Sequence, residues 1–433
     1  MRYLSTRGGT APVGLGAALV AGLAPDGGLF VPEALPLFRT DAFSGREPLP
    51  TLAAALLERF FLGDPLAASL PSIAAESLDI PLPMRALAPR TWLLELFHGP
   101  TAAFKDFGAR FLAACLSRLH AQGVTPMTVL AATSGDTGAA VAAAFHRRPG
   151  FRVVILYPDR RVSPRQAHQL GCFGDNVVAL RVAGSFDDCQ ALAKRALADE
   201  TLKRFAPITS ANSISLGRLL PQIAYYAQAA LAHWLGHGRR LNVVVPTGNL
   251  GNALACVLAR ASGLPVGDIV LATNANRVLP DYFGGAEYTA RQSMTTIANA
   301  MDVGAPSNFE RLRWLYADDT ALRRTLAAES VDDDEIRDEI RTSRARYGTL
   351  VCPHTATATR VLARLRQRGD TRDYAVVATA HPAKFETVIE PLIGAPVEVP
   401  PALKSLLDRP SLSEPLAVDY GALRERLMAF PDA

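Results

Sequence analysis

The sequence predicts an α/β protein with two doubly wound, mostly parallel sheets and an N-terminal extension. Between residues 126 and 205, short apolar runs alternate with helical segments, and this alternation resumes after residue 216. Buried strands connected through helices form parallel sheets that are covered on both faces. We therefore expect three domains: an N-terminal domain (1–88), a small inserted α/β domain (126–205), and a large α/β domain (89–125 with 206–433).

The individual elements follow from the spacing of apolar residues and from the turn residues between them. In chain order, the pattern predicts helices over 52–61 and 106–120, a strand over 128–133, a helix over 138–147, a strand over 152–157, a helix over 163–170, a strand over 176–182, a helix over 186–197, strands over 241–245 and 269–273, and a strand over 374–379. The acidic stretch 331–335 with its later arginines predicts a solvated helix with i,i+4 ion pairs.

Composition excludes several classes of function. The 433 residues are 49% hydrophobic and 20% charged, with a net charge of +4, so a large core is available. No block of basic residues is interleaved with aromatic ones, and no run of 18 apolar residues occurs, so we expect neither nucleic acid nor a membrane as partner. The five cysteines are dispersed without metal-ligand spacing, which predicts no metal site, reduced thiols and a cytoplasmic protein.

Lys105 occupies an unusual position for a lysine. It lies between Phe104 and Phe107, after a Gly-Pro turn, where an amphipathic segment begins. Partial burial and the positive end of a helix dipole both lower the pKa of an amine. A partly neutral lysine can attack an aldehyde and form a Schiff base. The alternative is a lysine whose stem packs on the helix start while its ammonium reaches water.

Two strand ends carry loops that suit anions. The run 246–252, Pro-Thr-Gly-Asn-Leu-Gly-Asn, joins a strand to a helix and can point several backbone N–H groups at one phosphate. The run 133–138, Thr-Ser-Gly-Asp-Thr-Gly, offers hydroxyl and N–H groups to a carboxylate. For each run the alternative is an ordinary helix cap, with Asn252 in the first run and Asp136 or Thr137 in the second.

Further segments have polar residues in constrained settings. Thr379 follows a buried strand and could hydrogen-bond a heteroaromatic nitrogen, whereas Lys384 is predicted to be a surface residue. The run 209–213 with Arg218 suits a second anion, the segment 301–311 is a turn with polar tips, and the segment 3–8 at the start of the chain also looks constrained. A structural role is the simpler interpretation of these three segments. His98 could belong to a site or to a hydrogen-bonded turn.

Taken together, these motifs resemble the threonine synthase family, in the branch shared by fungi and many Gram-negative bacteria. The runs Phe-Lys-Asp-Phe, Ser-Gly-Asp-Thr-Gly, Pro-Thr-Gly-Asn-Leu-Gly-Asn and Thr-Ala-His-Pro-Ala-Lys-Phe occur in that order. The resemblance extends nearly end to end, from Tyr3 to Phe385. It implies a fold-type II pyridoxal 5'-phosphate enzyme, of the tryptophan-synthase-β kind.

The resemblance also implies roles for individual residues. Lys105 looks like the Schiff-base lysine and proton carrier, and Thr379 looks like the partner of the pyridine nitrogen. The phosphate cup of the cofactor would be Gly248, Asn249, Leu250, Gly251 and Asn252. The substrate carboxylate would meet Ser134, Gly135, Asp136 and Thr137, and the departing phosphate would meet Asn212, Ser213 and Arg218. Many relatives on this fold carry Asn where this chain has Asp136, which leaves its contact with the cofactor's phenolic oxygen open.

The implied reaction converts O-phospho-L-homoserine and water to L-threonine and phosphate, in a monomer or homodimer. A second interpretation is a related lyase on the same fold, such as a threonine-synthase-like phospholyase or a dehydratase. Dehydratases usually carry the lysine nearer the N-terminus, so they rank below. A third interpretation, from a different class, is a protein that binds pyridoxal phosphate or another anion without turnover. The sequence shows no long extra N-terminal extension of the kind associated with S-adenosylmethionine control in plants, so we expect no such control.

Overall fold

The computed structural model describes residues 1–120, 125–159, 162–316 and 318–429. Over these ranges, no helix combines the length and the apolar character that crossing a membrane requires. The same ranges contain no group of three or more His, Cys, Asp or Glu side chains placed to hold a metal ion.

The strands of the described residues belong to three sheets. In chain order they are β1 (Tyr3–Ser5), β2 (Phe30–Pro32), β3 (Met84–Ala88), β4 (Thr91–Glu95), β5 (Met127–Ala132), β6 (Phe151–Pro158), β7 (Val177–Val182), β8 (Ile208–Ser210), β9 (Leu241–Pro246), β10 (Val266–Thr273), β11 (Leu326–Ser330), β12 (Tyr374–Ala378) and β13 (Glu414–Leu416).

The helices cover the sheets and connect their strands. In chain order they are α1 (Leu15–Ala21), α2 (Leu49–Leu57), α3 (Leu70–Leu78), α4 (Lys105–Leu119), α5 (Asp136–Phe145), α6 (Pro164–Gly171), α7 (Phe186–Ala198), α8 (Glu200–Phe205), α9 (Leu216–Leu219), α10 (Gln222–His237), α11 (Gly251–Ala261), α12 (Val278–Phe283), α13 (Phe309–Leu315), α14 (Asp319–Thr325), α15 (Asp333–Tyr347), α16 (Pro353–Gln367), α17 (Glu386–Ile393), α18 (Pro401–Leu407) and α19 (Tyr420–Met428). Short 3-10 turns also occur, among them Asn299–Met301 and Pro382–Phe385.

The larger sheet has six strands in the order β11-β10-β9-β12-β4-β3. Its strands pair in parallel except for the edge strand β3, which runs antiparallel to β4. The central strands β9 and β12 are buried along their whole length, as expected for strands that helices cover on both faces. The carboxyl ends of β9 and β12 therefore open together at one edge of the sheet.

The smaller sheet has five parallel strands in the order β13-β7-β6-β5-β8. Its central strands β5 and β6 are fully buried. Helix α5 follows β5 directly, and β5 ends at the run 133–137. The carboxyl end of β5 is where the chemistry of this sheet is expected.

Apolar residues sort to the two faces of each sheet by strand alternation. Val243 and Val153 point into one large core that also takes Leu52 from the N-terminal helices. Val244 belongs to a second core under α15 and α16, and Val154 belongs to a third under α7 and α19. The large core therefore joins the N-terminal helices to both sheets.

The predicted α/β class with two mostly parallel sheets is confirmed, and the predicted elements occur with ends shifted by a few residues. The largest shift is α2, which begins at Leu49 and gives way to a 3-10 turn after Leu57. The domain boundaries stay a prediction. Strands β8 and β13 lie within the range predicted for the large domain, yet they hydrogen-bond in the five-stranded sheet.

Candidate active site

Lys105 is the first residue of α4, and a tight turn fixes its position. Ala102 adopts a left-handed φ of 56° in this turn. The backbone N–H of Phe104 donates to the Thr379 carbonyl at 2.8 Å, and the His381 N–H donates to the Ala102 carbonyl at 3.0 Å. These two hydrogen bonds join the turn to the end of β12. Lys105 therefore lies in the cleft at the carboxyl edge of the six-stranded sheet.

The Asp106 side chain closes the same turn from inside. It is fully buried and accepts the Thr101 N–H at 2.9 Å and the Thr101 hydroxyl at 2.7 Å. Gly99 lies against this carboxylate, since a Cβ there would come within 2.4 Å of an Asp106 oxygen. Gly99 therefore leaves room for the Asp106 carboxylate, and the bonds from Thr101 to that carboxylate close the turn at the start of the helix.

Burial lowers the pKa of Lys105 to about 8. The Asp136 carboxylate works in the opposite direction, whereas the positive charges of Arg218 and Lys384 lower the pKa further. A substantial fraction of the amine is therefore neutral near pH 8 and able to act as a nucleophile. This agrees with the lowered pKa that the position of Lys105 in the sequence predicts.

The loop 246–252 is built from backbone. Gly248 packs against the 3-10 turn at Met301, where a Cβ on residue 248 would lie 2.7 Å from the Met301 Cα. Leu250 has a left-handed φ of 63°, and α11 begins at Gly251. The loop and the first residues of α11 line the cleft, and the free N–H groups at the start of a helix suit an anion.

The Asn249 side chain forms hydrogen bonds with two neighbouring loops. Its amide donates to the Ser213 hydroxyl at 2.6 Å, and its oxygen accepts the Ser307 N–H at 2.6 Å. Asn252 has a different environment, because its oxygen accepts both tyrosine hydroxyls of α10, Tyr225 and Tyr226, at 2.7 Å. Its amide nitrogen is buried without a hydrogen-bond partner among the described residues.

The loop 133–137 depends on side chains instead. The Thr133 hydroxyl accepts the N–H groups of Gly135 and Gly138, each at 3.0 Å. Asp136 is 4% exposed and pairs through Oδ1 with Lys384 Nζ at 3.0 Å, and the Gln166 amide donates to the same oxygen at 3.0 Å. Burial raises the pKa of Asp136, but Lys384 and Lys105 outweigh burial and hold it well below the usual range.

The prediction that Lys384 lies on the surface was wrong. Its side chain is 0% exposed, and Nζ donates to the Thr101 carbonyl at 2.7 Å in addition to pairing with Asp136. The run His-Pro-Ala-Lys looks like a surface turn because nothing in it is apolar enough to predict burial. Its partners come from two distant segments of the chain, so local reasoning could not identify them.

The predicted site residues converge. Of these, Gly135 alone does not line the cleft, and its N–H is already used by Thr133. The predicted residues that do line it are Lys105, Ser134, Asp136, Thr137, Asn212, Ser213, Arg218, Gly248, Asn249, Leu250, Gly251, Asn252 and Thr379. His98 lies outside the cleft, and its ring contacts Glu95 at 2.7 Å.

Arg218 is 3% exposed and lies behind α4. One of its Nη atoms donates to the Ala211 carbonyl, while Nε is buried without a partner among the described residues. Burial lowers the pKa of Arg218 to about 10, and Asp106 opposes that effect, so the side chain remains a cation at neutral pH. Gly108 of α4 packs against it, since a Cβ there would meet the Arg218 carbonyl oxygen at 2.6 Å.

Several residues of the cleft were not predicted. His354, at the start of α16, is 3% exposed and accepts the Ala300 N–H on Nε2 at 3.0 Å. Burial lowers the pKa of His354 to about 4, so the ring is neutral and Nε2 can accept this bond. Helix α7 also lines the cleft through Phe186, Gln190 and Lys194. No local sequence signal marks these residues, because their role depends on how the two sheets face each other.

Arg311 explains why the segment 301–311 looked constrained. Its side chain is 2% exposed and donates to the carbonyls of Phe30 at 3.1 Å and Ile214 at 2.6 Å and to the Asn308 side chain at 2.8 Å. It therefore fastens the N-terminal strand β2 to the loop that carries Ser213.

Three family profiles match the sequence. Residues 2–78 match the threonine synthase N terminus, residues 77–383 match pyridoxal-phosphate dependent enzymes, and residues 355–426 match the threonine synthase C-terminal region.

Individual relatives agree with the profiles over nearly the whole chain. The threonine synthase of Serratia marcescens is 37% identical and that of Escherichia coli (strain K12) is 38% identical; the alignments cover 96% and 95% of both chains, respectively.

Solved structures give the same result. The crystal structure of threonine synthase from Escherichia coli has a TM-score of 0.90 at 36% identity and covers 99% of both chains. A threonine synthase from Brucella melitensis, solved with bound pyridoxal phosphate, has a TM-score of 0.90 at 33% identity and covers 100% of both chains. The resemblance seen in the sequence is thereby confirmed, and the chain belongs to the threonine synthase family of pyridoxal-phosphate-dependent enzymes.

Proposed function

We propose that this chain converts O-phospho-L-homoserine and water to L-threonine and phosphate, the last step of threonine biosynthesis. One observation carries the proposal: Lys105, with a pKa of about 8, shares one cleft with the loops that follow β5, β9 and β12. The three loops offer backbone N–H groups, a cluster of hydroxyls and a single hydroxyl at a strand end. Together these groups suit a phosphorylated aromatic aldehyde and an amino acid bound side by side.

The residues present fit pyridoxal phosphate. The phosphate would lie on the N–H groups of the loop 248–252, where Gly248 leaves no room for a side chain and the Asn252 amide is an unused donor. The Lys105 amine would hold the aldehyde carbon. The Thr379 hydroxyl, at the end of β12, would face the ring nitrogen. When bound, the cofactor supplies a ring that stabilises negative charge on a substrate carbon.

Thr379 differs in kind from a carboxylate partner. A neutral hydroxyl can donate or accept one hydrogen bond and adds no charge beside the ring nitrogen. It would therefore not hold a proton on that nitrogen, as a carboxylate would. Without that proton the ring withdraws electrons less strongly, so Thr379 would influence which reaction of the substrate carbanion is favoured.

Lys105 is the group suited to move protons. A pKa of about 8 lies close to neutral pH, the condition under which one amine serves both as base and as acid. With substrate bound, the Lys105 amine would take the α-proton of the substrate and then a β-proton, and the γ-phosphate would leave with the electrons of its C–O bond. A proton would then be added at the γ-carbon, water would give its hydroxyl to the β-carbon and its proton to the phosphate, and Lys105 would return a proton to the α-carbon.

Two different anionic groups of the substrate need separate partners. Ser134 and Thr137 line the cleft beside α5 and would take the substrate carboxylate, while Asp136 is already neutralised by Lys384. Asn212, Ser213 and Arg218 would take the departing phosphate. Arg218 is a cation that lines the cleft, and a charge-assisted bond suits a doubly charged leaving group.

The decisive experiment compares Lys105→Ala with Lys194→Ala, a second lysine of the cleft. We expect Lys105→Ala to lose turnover by at least about 1000-fold, because one residue carries nucleophilic and proton-transfer roles. Borohydride reduction should fix the cofactor to Lys105 in the parent chain and in Lys194→Ala, but not in Lys105→Ala. Cofactor fixed to another peptide would refute the assignment.

Identifying the organic product separates the rival functions. Threonine and phosphate in equal amounts support the proposal, while 2-oxobutyrate would indicate a lyase that eliminates without adding water at the β-carbon. Cofactor absorbance without turnover would indicate a binding protein. A monomer or homodimer in the cytoplasm stays part of the proposal, and the five unpaired, buried cysteines support that location.

A further inference from the structure

We infer that Lys384 is a positioning residue: its ammonium engages the Asp136 carboxylate and so prevents that carboxylate from becoming the counter-ion of Lys105. The inference rests on the proposed function, since it concerns the amine that would hold the cofactor. It starts from a buried ion pair at 3.0 Å between two side chains that are 0% and 5% exposed.

Hydrogen bonds fix both the side chain and the backbone of Lys384. Nζ donates to the Thr101 carbonyl at 2.7 Å as well as to Asp136. Its own carbonyl accepts the Ser163 hydroxyl at 2.6 Å, and the Arg165 guanidinium donates to the carbonyl of the preceding residue, Ala383, at 2.8 Å. The ammonium therefore has no route to water, and its charge is fixed relative to Asp136.

Asp136 is equally fixed. Its Oδ1 accepts both Lys384 and the Gln166 amide, each at 3.0 Å. Gln166 in turn occupies the space beside Gly135, where a Cβ would lie 2.7 Å from the Gln166 nitrogen. Gly135, which does not line the cleft, therefore serves the site by leaving room for the side chain that orients Asp136.

Lys105 is the other cation that could use this carboxylate. Asp136 raises the pKa of Lys105 and lines the same cleft, yet its ion pair is made with Lys384. The titratable and charged groups that act on Lys105, directly or through Asp136, are Asp136, Arg218, His354 and Lys384; Asp106 in turn interacts with Arg218 and Lys384.

The balance of these groups favours a neutral amine. His354 carries no charge at neutral pH, because burial lowers its pKa to about 4. Asp106 is engaged by Thr101, and Arg218 adds a positive charge. Asp136 is thus the group that could hold Lys105 as an ammonium, and its ion pair with Lys384 offsets part of its charge. An apolar residue at position 384 would return the carboxylate to Lys105.

The experiment compares Lys384→Met, Lys384→Arg and Lys404→Met. Lys404 is an exposed lysine whose ion pair with Asp408 spans one helical turn, so it controls for loss of a lysine elsewhere. Competitive reductive methylation of the full chain, stripped of cofactor and followed by mass spectrometry, gives the pH midpoint at which Lys105 becomes reactive. A pH titration of the visible absorbance of the cofactor-loaded chain gives a second midpoint.

We expect Lys384→Met to raise both midpoints by about one pH unit or more, because a positive neighbour is lost and a negative one is freed. Lys384→Arg keeps the charge and should restore most of the shift, and Lys404→Met should change nothing. A purely structural role would lower the melting temperature of Lys384→Met without moving either midpoint, and that result overturns the inference.

If Lys384→Met does not fold, the variant Asp136→Asn/Lys384→Met decides, since it buries neither charge. We expect its midpoints to lie below the parent chain but above those of Asp136→Asn alone, because Asp136 acts on Lys105 more strongly than Lys384 does and both are lost. Midpoints equal to those of Asp136→Asn would mean that Lys384 exerts no influence, and this would overturn the inference. A parent chain that binds no pyridoxal phosphate refutes the proposed function, while the methylation midpoints still test Lys384.

Discussion

Two loops line the same cleft, and one is built from backbone groups whereas the other depends on charged side chains. The loop 246–252 is neutral and made of backbone, with Gly248 pressed against Met301. The loop 133–137 depends on charged side chains, with Asp136 paired to Lys384 and bonded to Gln166. The first suits a permanent phosphate, which needs donors and no titrating group. The second suits chemistry, because it sets the charge around Lys105.

The short turn Asn299–Met301 connects the two loops. The Asn299 amide donates to the Ser134 carbonyl at 3.4 Å and to the Gln166 side chain at 3.3 Å. Met301 lies against Gly248, and the Ala300 N–H donates to His354. A change at this turn should therefore affect both loops, whereas a change within one loop should affect that loop alone.

The largest effect is expected from Asp136→Asn, which breaks the charged loop. Lys384 would remain buried without a counter-charge, so we expect the free energy of unfolding to fall by about 3 to 5 kcal/mol. Urea denaturation measures the change. The control Asp408→Asn breaks an exposed pair and should leave the unfolding midpoint unchanged. Equal effects of the two variants would contradict the importance of the buried pair.

A smaller effect is expected from Gly248→Ala, which breaks the neutral loop. The new Cβ would lie 2.7 Å from the Met301 Cα, so the backbone must move and would displace the N–H groups proposed to hold the phosphate. Affinity for pyridoxal phosphate should fall by about 10- to 100-fold, as measured by equilibrium dialysis. Gly236→Ala in α10 is the control, because a Cβ there would meet no atom within 4 Å and Gly236 does not line the cleft. Undiminished affinity in Gly248→Ala would show that the turn at Met301 can move to accommodate the methyl group, which would contradict the prediction.

The smallest effect is expected at His354, which supports the turn between the loops. His354→Leu leaves the Ala300 N–H without an acceptor and should cost about 1 to 2 kcal/mol of unfolding free energy. His354→Gln offers an amide oxygen instead and should cost less. A larger loss in the Gln variant than in the Leu variant would mean that ring packing, not the hydrogen bond, holds the turn.

His354 also predicts a pH dependence whose sign is defined. The unfolded chain binds a proton on this ring near pH 6.5, whereas the pKa of His354 in the folded protein is about 4. Its neutral ring therefore contributes stability above pH 6.5, and this contribution is lost as the pH falls towards 4. Between pH 7 and 5 the parent chain should lose about 2 kcal/mol more than His354→Gln in urea denaturation.

The fold could be predicted because its signals are local. Apolar runs such as the one in β9 and the Gly-containing turns after them occur within a few residues, and the strand-end loops follow directly. Lys105 could also be predicted, since its phenylalanine neighbours and the turn before it adjoin it in sequence. The family resemblance then supplied the roles that spacing alone left open.

The rest could not be predicted because it depends on contacts between distant segments. Lys384 has a polar local sequence, and its burial arises only where the end of β12 meets α5. His354 begins a helix whose Thr- and Ala-rich sequence gives no indication of a ring facing Ala300. Gly135 looked like a ligand of the substrate, but its N–H serves Thr133, and its missing Cβ accommodates Gln166.

The large core shared by the N-terminal helices and both sheets has a consequence for local unfolding. Because Leu52, Val153 and Val243 pack into one cluster, neither sheet can expose its inner face without opening the N-terminal helices. Amide hydrogens of β6, β9 and α2 should therefore exchange through a common opening event with a single free energy. The two smaller cores lie under α16, which carries His354, and under α7, which lines the cleft, so opening of either outer layer should loosen the cleft while the large core stays closed.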